Sequence, residues 1–297
     1  MVLLGSILNT MKKKIRKYIG KIYAWTIKTY DQLTAARCEV SVGDIILQRA
    51  EMDFCQFLLT SRKMDVEAYC NGIDKTFPNM CTISGFKYGP NYNPEKGRFL
   101  FAKLIESYQA NGYDPTSFLT VDKECRLIDG NHRMGVNLFM GIEKLNVRFL
   151  KRSSGFSRNL DDYYKIGVRS ELIEKVTREF LHIQKWLVES GNTFCCLLKG
   201  EYENESVSLI SDLGFMSHVF NDIIRCKSDN KEGGVLIQFS LDFPSYFVKN
   251  GKLISKRALE IEKMLEQRKK QFGLDVEIKV SKNCLEGKEL WNFVKTN

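Results

Sequence analysis

Apolar positions recur at helical spacing in several stretches of the chain. Over 11–36, Ile15, Ile19, Ile22, Tyr30 and Leu33 share one face, which Thr26 interrupts, and Lys and Arg occupy much of the rest. This predicts an amphipathic helix with a basic outer surface. Over 99–111, Leu100, Phe101, Leu104, Ile105 and Tyr108 share a face, and Gly112 stands where a helix ends. Further helices are expected over 51–60, 131–140 (closed by Gly141), 170–189, 257–272 and 290–294. Short apolar runs predict strands at 40–47 ("VSVGDIIL"), 118–121, 125–128, 145–150, 193–198, 235–239 and 276–280. Residues 84–98 ("SGFKYGPNYNPEKGR") combine Gly, Asn, Pro and aromatics and predict an ordered loop. Tyr88, Asn91, Tyr92 or Arg98 could meet a substrate there, or the loop could simply cover a sheet edge. "RSSGFSRNLDD" at 152–162 reads as a boundary. The expected architecture is α/β (α+β): a helical segment 1–37, a central domain 38–151 and a small C-terminal α/β domain 160–297.

Charge changes this picture at one end only. Residues 1–40 hold eight Lys/Arg and two acids, which is +6 of the formal +9; the other 257 residues carry +3. A nearly neutral body with a basic N-terminal segment disfavours nucleic acid as a partner, since that needs a basic face on the folded domain. The segment suits an anionic membrane surface, where each basic group contributes ~1 kcal/mol. It suits equally well a terminal helix packed on its own body or on a second subunit. Met11 is an alternative start. No apolar run reaches the ~20 residues of a membrane span. Nine Cys without CxxC spacing predict reduced, packing cysteines in a cytoplasmic protein rather than disulfides or zinc.

Candidate chemistry gathers at Asp129-Gly130-Asn131-His132-Arg133, where a strand turns into a helix. Such a turn exposes the first amides of the helix, which with the helix dipole make an anion site. His132 and Arg133 can add charge-assisted contacts to phosphate, and Asp129 can hold Mg²⁺ or orient a neighbour. The plainer reading is that Asp129 and Asn131 cap the helix and Arg133 pairs with a surface acid. P-loop, dinucleotide-fold and protein-kinase motifs are lacking, and the three His stand at no metal-ligand spacing.

The stretch "SYQANGYDP…FLTVDKECRLIDGNHRMGVNLFMGIEKLNVRFL" resembles the ParB/sulfiredoxin-like superfamily, in which a helix ending in Gly is followed by a strand, a Gly-x-His-Arg helix and a closing strand. "VSVGDIIL" is similar to that family's first strand, so the resemblance covers roughly 38–151. It implies nucleotide binding through Gly130, Asn131, His132 and Arg133, with ATP or another nucleotide and Mg²⁺ as cofactors. Asn131 stands where sulfiredoxins carry their catalytic Cys, which disfavours that chemistry, and no helix-turn-helix of the ParB kind follows residue 151. The site pattern is closest to the free serine kinases of the superfamily. There a Glu soon after the first strand acts as base, and here Glu51 follows "DIILQRA", with Asp53 close behind. Glu51, Asp53 and Asp129 are thus the catalytic candidates, with Asp129 also the metal candidate. The implied activity is phosphoryl transfer to a hydroxyl of a small metabolite or of a sugar or glycan precursor for surface polysaccharide, in the cytoplasm and peripherally at the inner membrane. The alternative is a ParB-like nucleotide- or DNA-binding protein without kinase activity.

Overall fold

A computed structural model describes residues 30–31, 33–47, 52–153, 160–165, 167–200, 209, 211–214, 218–226, 234–241 and 244–296. Most of the expected N-terminal helix, and Glu51, lie outside the described residues. The chain divides into two compact units, 1–36 and 37–297. In the first, residues 30–34 are helical where described, and Tyr30 and Leu33 of the expected stripe are exposed.

Strand β1 (Ala36–Ser41), all but its first residue in the second unit, ends earlier than the apolar run predicts. Ser41 caps helix α1 (Val42–Ile46): its hydroxyl accepts from Gly43 N–H, and the Asp44 carboxylate accepts from Ser41 N–H at 3.0 Å. This reciprocal capping box turns "VGDII" into a short helix despite its strand-like composition. Helix α2 (Phe54–Cys70) is longer than expected and begins at Asp53 with a second capping box to Gln56. The expected loop at 84–98 is largely helical. Helix α3 (Pro78–Tyr88) runs into a 3-10 turn at Gly89–Asn91, and helix α4 (Pro94–Asn111) starts with Asn93 as its cap. Proline at the first position of both helices fits this, because its missing N–H would have no partner there.

Strands β2 (Leu119–Val121) and β3 (Leu127–Asp129) form an antiparallel hairpin. Helix α5 (Asn131–Phe139) then crosses to strand β4 (Lys144–Phe149), which pairs parallel to β2 with Leu119 opposite Val147. Helix α6 (Leu160–Lys165) and the amphipathic helix α7 (Ser170–Glu189) follow. The apolar face of α7, with Ile173, Val176, Phe180, Ile183 and Leu187, is buried. Burying side chains of this size contributes up to ~1.5–3 kcal/mol each. Lys63 on α2 reaches Glu179 on α7 at 2.6 Å.

The rest of the chain holds strands β5 (Phe194–Lys199), β6 (His218–Cys226), β7 (Gly234–Ser240), β8 (Tyr246–Lys249) and β9 (Lys252–Ser255), then helix α8 (Lys256–Phe272), strand β10 (Glu277–Val280) and helix α9 (Cys284–Thr296). Two sheets result, ordered β3-β2-β4-β1-β9-β8 and β10-β5-β7-β6. The β8–β9 hairpin thus extends the sheet that 36–149 begins, with β9 parallel to β1 at Glu39 and Lys252. Residues beyond 160 therefore contribute strands to the first sheet as well as building the second. One apolar cluster runs from Cys38 and Val40 through Val147 and Phe180 to Phe239, Leu253 and Val280. Among the described residues, no helix is long and apolar enough to cross a membrane.

Candidate functional site

The turn forms because Gly130 takes φ +106° and ψ +21°, in the left-handed region that glycine tolerates. A Cβ there would also lie 2.4 Å from Leu119 Cδ2, so the Leu119 side chain would have to shift to admit one. Gly130 is the N-cap of α5, and no side chain caps the helix, so neither Asp129 nor Asn131 plays that part. Met134 N–H bonds to Gly130 O at 2.8 Å and closes the first turn. The first amides of α5 therefore lie at the end of β3 with no capping side chain over them.

Arg133 is half-fixed. Its Nη1 donates to Ser117 Oγ at 2.8 Å and to Phe118 O at 2.9 Å, and its Nη2 lies 3.6 Å from Asp129 Oδ2. Asp129 is well exposed, so this ion pair contributes little stability by itself. His132 is exposed and meets the ring of Phe101 edge-on at 4.9 Å. The Asn131 Oδ1 atom is buried without a hydrogen-bond partner. The structure thus brings Asp129, Gly130, Asn131, His132 and Arg133 together on one turn. Amides, a guanidinium and an imidazole offer donors to a phosphate, while Asp129 offers one carboxylate to a cation.

Asp53 lies elsewhere. Its Oδ1 accepts from Gln56 N–H at 3.0 Å as the cap of α2, and Gln56 Nε2 in turn donates to Ile46 O at 2.7 Å. It lines a small cavity with Ile45, Gln56, Glu124, Arg126 and Leu127, beside the beginning of β3 rather than its end at the turn. Tyr92 and Arg98, named as candidates in the 84–98 stretch, pack on α3. The Arg98 Nε atom is 3.4 Å from Cys81 Sγ, and the Tyr92 hydroxyl is 4.0 Å from the same sulfur.

Comparison with known protein families, with characterised proteins and with solved structures finds no match. A ParB/sulfiredoxin-like reading therefore rests on the residues of the turn and their strand–turn–helix setting.

The carboxylates with raised pKa values are not at the turn. Asp44 is fully buried, and that burial pushes its pKa up against the opposing donors Cys284 N–H, the Tyr246 hydroxyl and Ser41 N–H. Burial also raises Asp65, to about 6, against donation from Met80 N–H and the charge of Arg62. Each also has partners further along the chain, Tyr246 and Cys284 for Asp44 and Asn79 and Met80 for Asp65. The Ser41-x-x-Asp44 spacing of a capping box is the signal that points to Asp44. Among the described residues, no three His, Cys, Asp or Glu converge as a metal site. Asp129 would therefore hold Mg²⁺ only in company with phosphate oxygens, the usual arrangement for that ion in nucleotide sites.

Proposed function

We propose that the protein binds a nucleotide by its phosphates at the Asp129–Arg133 turn and transfers a phosphoryl group to a hydroxyl of a small metabolite or glycan precursor. The observation that carries this reading is the uncapped start of α5 behind a left-handed glycine, with Arg133 held beside it by Ser117 and Phe118. Amides fixed in this way need no reorganisation when charge builds on a phosphoryl oxygen. The donor set fits ATP: amides and Arg133 for the phosphates, and Asp129 for Mg²⁺ bridging them. His132 stands on the solvent side of the same turn, where it can add a contact.

The proton acceptor in this reading is Glu51, five residues after Ile46, the last residue of α1, with Asp129 the carboxylate already at the turn. Asp53 is less suited, because its carboxylate caps α2. That occupation of Asp53 favours a second reading as well, a nucleotide-binding protein without kinase activity. A basic segment at 1–37 supports peripheral attachment to an anionic inner membrane surface in either case.

A thermal-shift screen of ATP, ADP and CTP with Mg²⁺ tests the site. A nucleotide at about one hundred times its Kd should stabilise by ~2.7 kcal/mol. The shift should shrink in Arg133→Ala, and its absence with every nucleotide would remove the proposal. If ATP binds, Glu51→Gln should leave the shift intact and lower turnover by ~10²–10⁴-fold, the range for loss of a general base. Binding without turnover in the unmutated chain would favour the second reading.

A further inference from the structure

Four rings from four successive helices lead to the turn. Tyr69 on α2 stacks on Phe77, the N-cap of α3, with 5.1 Å between centroids and 21° between the ring planes. Phe77 meets Phe101 on α4 at 5.0 Å. Phe101 meets His132 on α5 at 4.9 Å, with the two planes 68° apart. All three spacings fall in the range of attractive ring contacts. Phe77 and Phe101 are buried, Tyr69 is half-buried and His132 is exposed. The series therefore runs through the small apolar core that α2 to α5 share and emerges at the turn.

Ordinary core packing does not account for the second ring. Phe77 takes φ +50° and ψ +57°, a left-handed conformation that is costly for any residue with a Cβ. Two carboxylates hold the backbone there. On one side, Asp74 Oδ1 accepts from Thr76 N–H at 2.7 Å. On the other, the Asp65 carboxylate accepts from Asn79 and Met80 N–H. In this conformation the Phe77 ring touches both Tyr69 and Phe101. Beside the rings, the Tyr69 hydroxyl donates to Glu106 Oε1 at 3.0 Å and ties α2 to α4.

We infer that Phe77 and Phe101 are positioning residues for His132, holding its imidazole in one orientation at the turn before a phosphate arrives. This rests on the proposed function for the identity of the ligand. An exposed imidazole otherwise spreads over several rotamers, and ordering it on binding lowers affinity. Packed against Phe101, which Phe77 braces from behind, His132 loses that freedom when the chain folds. The left-handed backbone at Phe77 is then strain held in place for the site.

The chain has three His, so its imidazole NMR signals are few, and His132→Gln identifies the one at the turn. Phe77→Leu in the full chain keeps an apolar side chain and removes a ring two steps from His132. It should move the His132 signal and leave those of His182 and His218 in place. Isothermal titration should show Mg²⁺–ATP binding weakened about two- to tenfold, the effect of having to order one more side chain. Combined with His132→Gln, the same Phe77→Leu change should have no further effect, because the ring then has nothing to position. Equal weakening with and without His132 would mean a general loosening of the helices and overturns the inference, as does an unmoved His132 signal. Should Phe77→Leu not fold, Tyr69→Leu at the half-buried end carries the same tests, with the same results deciding. If the unmutated chain binds no nucleotide, the NMR signal alone decides. A moved His132 signal then supports the positioning while the proposed function falls, and an unmoved one overturns both.

Discussion

Asp65 does for α3 what the residue at the start of that helix cannot. The N-cap of α3 is Phe77, which sits at φ +50° and supplies no side-chain cap. From α2, the Asp65 carboxylate accepts from Asn79 N–H at 3.2 Å and from Met80 N–H at 2.6 Å. Burial raises its pKa from 3.8 to about 6, so the folded state holds the proton more tightly than the unfolded state. Its contribution to stability is therefore complete below pH 3.8 and is lost as the pH rises through about 6. We predict that Asp65→Asn, which keeps one oxygen acceptor, flattens this part of the stability curve. The difference in unfolding free energy between wild type and variant should change between pH 4 and pH 6.5, and a constant offset would count against the assignment. Residues differ in how far the sequence exposes them. The Asp129–Arg133 turn is contiguous, and its glycine, strand and helix can be read in place. Asp65 contacts α3 fourteen and fifteen residues on, so nothing local marks it, and the capping-box spacing that marks Asp44 says nothing of Cys284, 240 residues on.

At the scale of elements, the position of the turn depends on how α5 seats against α2. Gly135 is the point of closest approach: a Cβ there would lie 2.6 Å from Arg62 Cβ and 2.9 Å from Lys63 N. Backbone cannot yield as the end of a side chain can, so Gly135→Ala must push the helices apart. We predict a loss of ~1–3 kcal/mol, the usual penalty of overpacking, measured by urea unfolding. Nucleotide binding at the turn should weaken in the same variant, and an unchanged unfolding midpoint would show that the two helices separate freely. The helices α4 and α7 were legible because their apolar stripes are long and regular. The stretch 42–46 was not, because a four-residue capping box outweighs a β-branched run. The β8–β9 hairpin also escaped periodicity, being only four residues on each side. Its signal lies in the turn, Asn250-Gly251, where both residues take positive φ (+52° and +75°) as a tight hairpin turn requires.

The whole molecule is held together where its two halves of sequence meet, and there the expectation of a free-standing central domain can be put to the test. Asp44, in the first helix of the central stretch, takes three donors: Ser41 N–H at 3.0 Å, the Tyr246 hydroxyl at 2.8 Å and Cys284 N–H at 3.0 Å. Two of the three come from beyond residue 160. Beside it, the Ser41 hydroxyl donates to Asn192 Oδ1 at 3.0 Å, and a Cβ on Gly43 would fall 1.9 Å from Asn192 O. Strand β1 is interior to its sheet only because β9 lies along its far side. Removing everything after 153 would turn β1 into an edge, strip the floor of the apolar cluster that α7 and β9 supply, and leave Asp44 buried or half-buried with one donor. Each orphaned polar interaction of this kind costs ~1–3 kcal/mol, against a total stability of only ~5–15 kcal/mol. We predict that residues 37–153 alone show no cooperative thermal transition, whereas 37–297 does. In the full chain, Tyr246→Phe removes a single donor from Asp44 and should lower stability by ~1–3 kcal/mol without changing the helix content. A cooperative melt of 37–153 near that of the longer chain would mean that the shared sheet and the Asp44 contacts add little. The central stretch would then stand as a domain in its own right, with the β8–β9 hairpin an attachment to its edge.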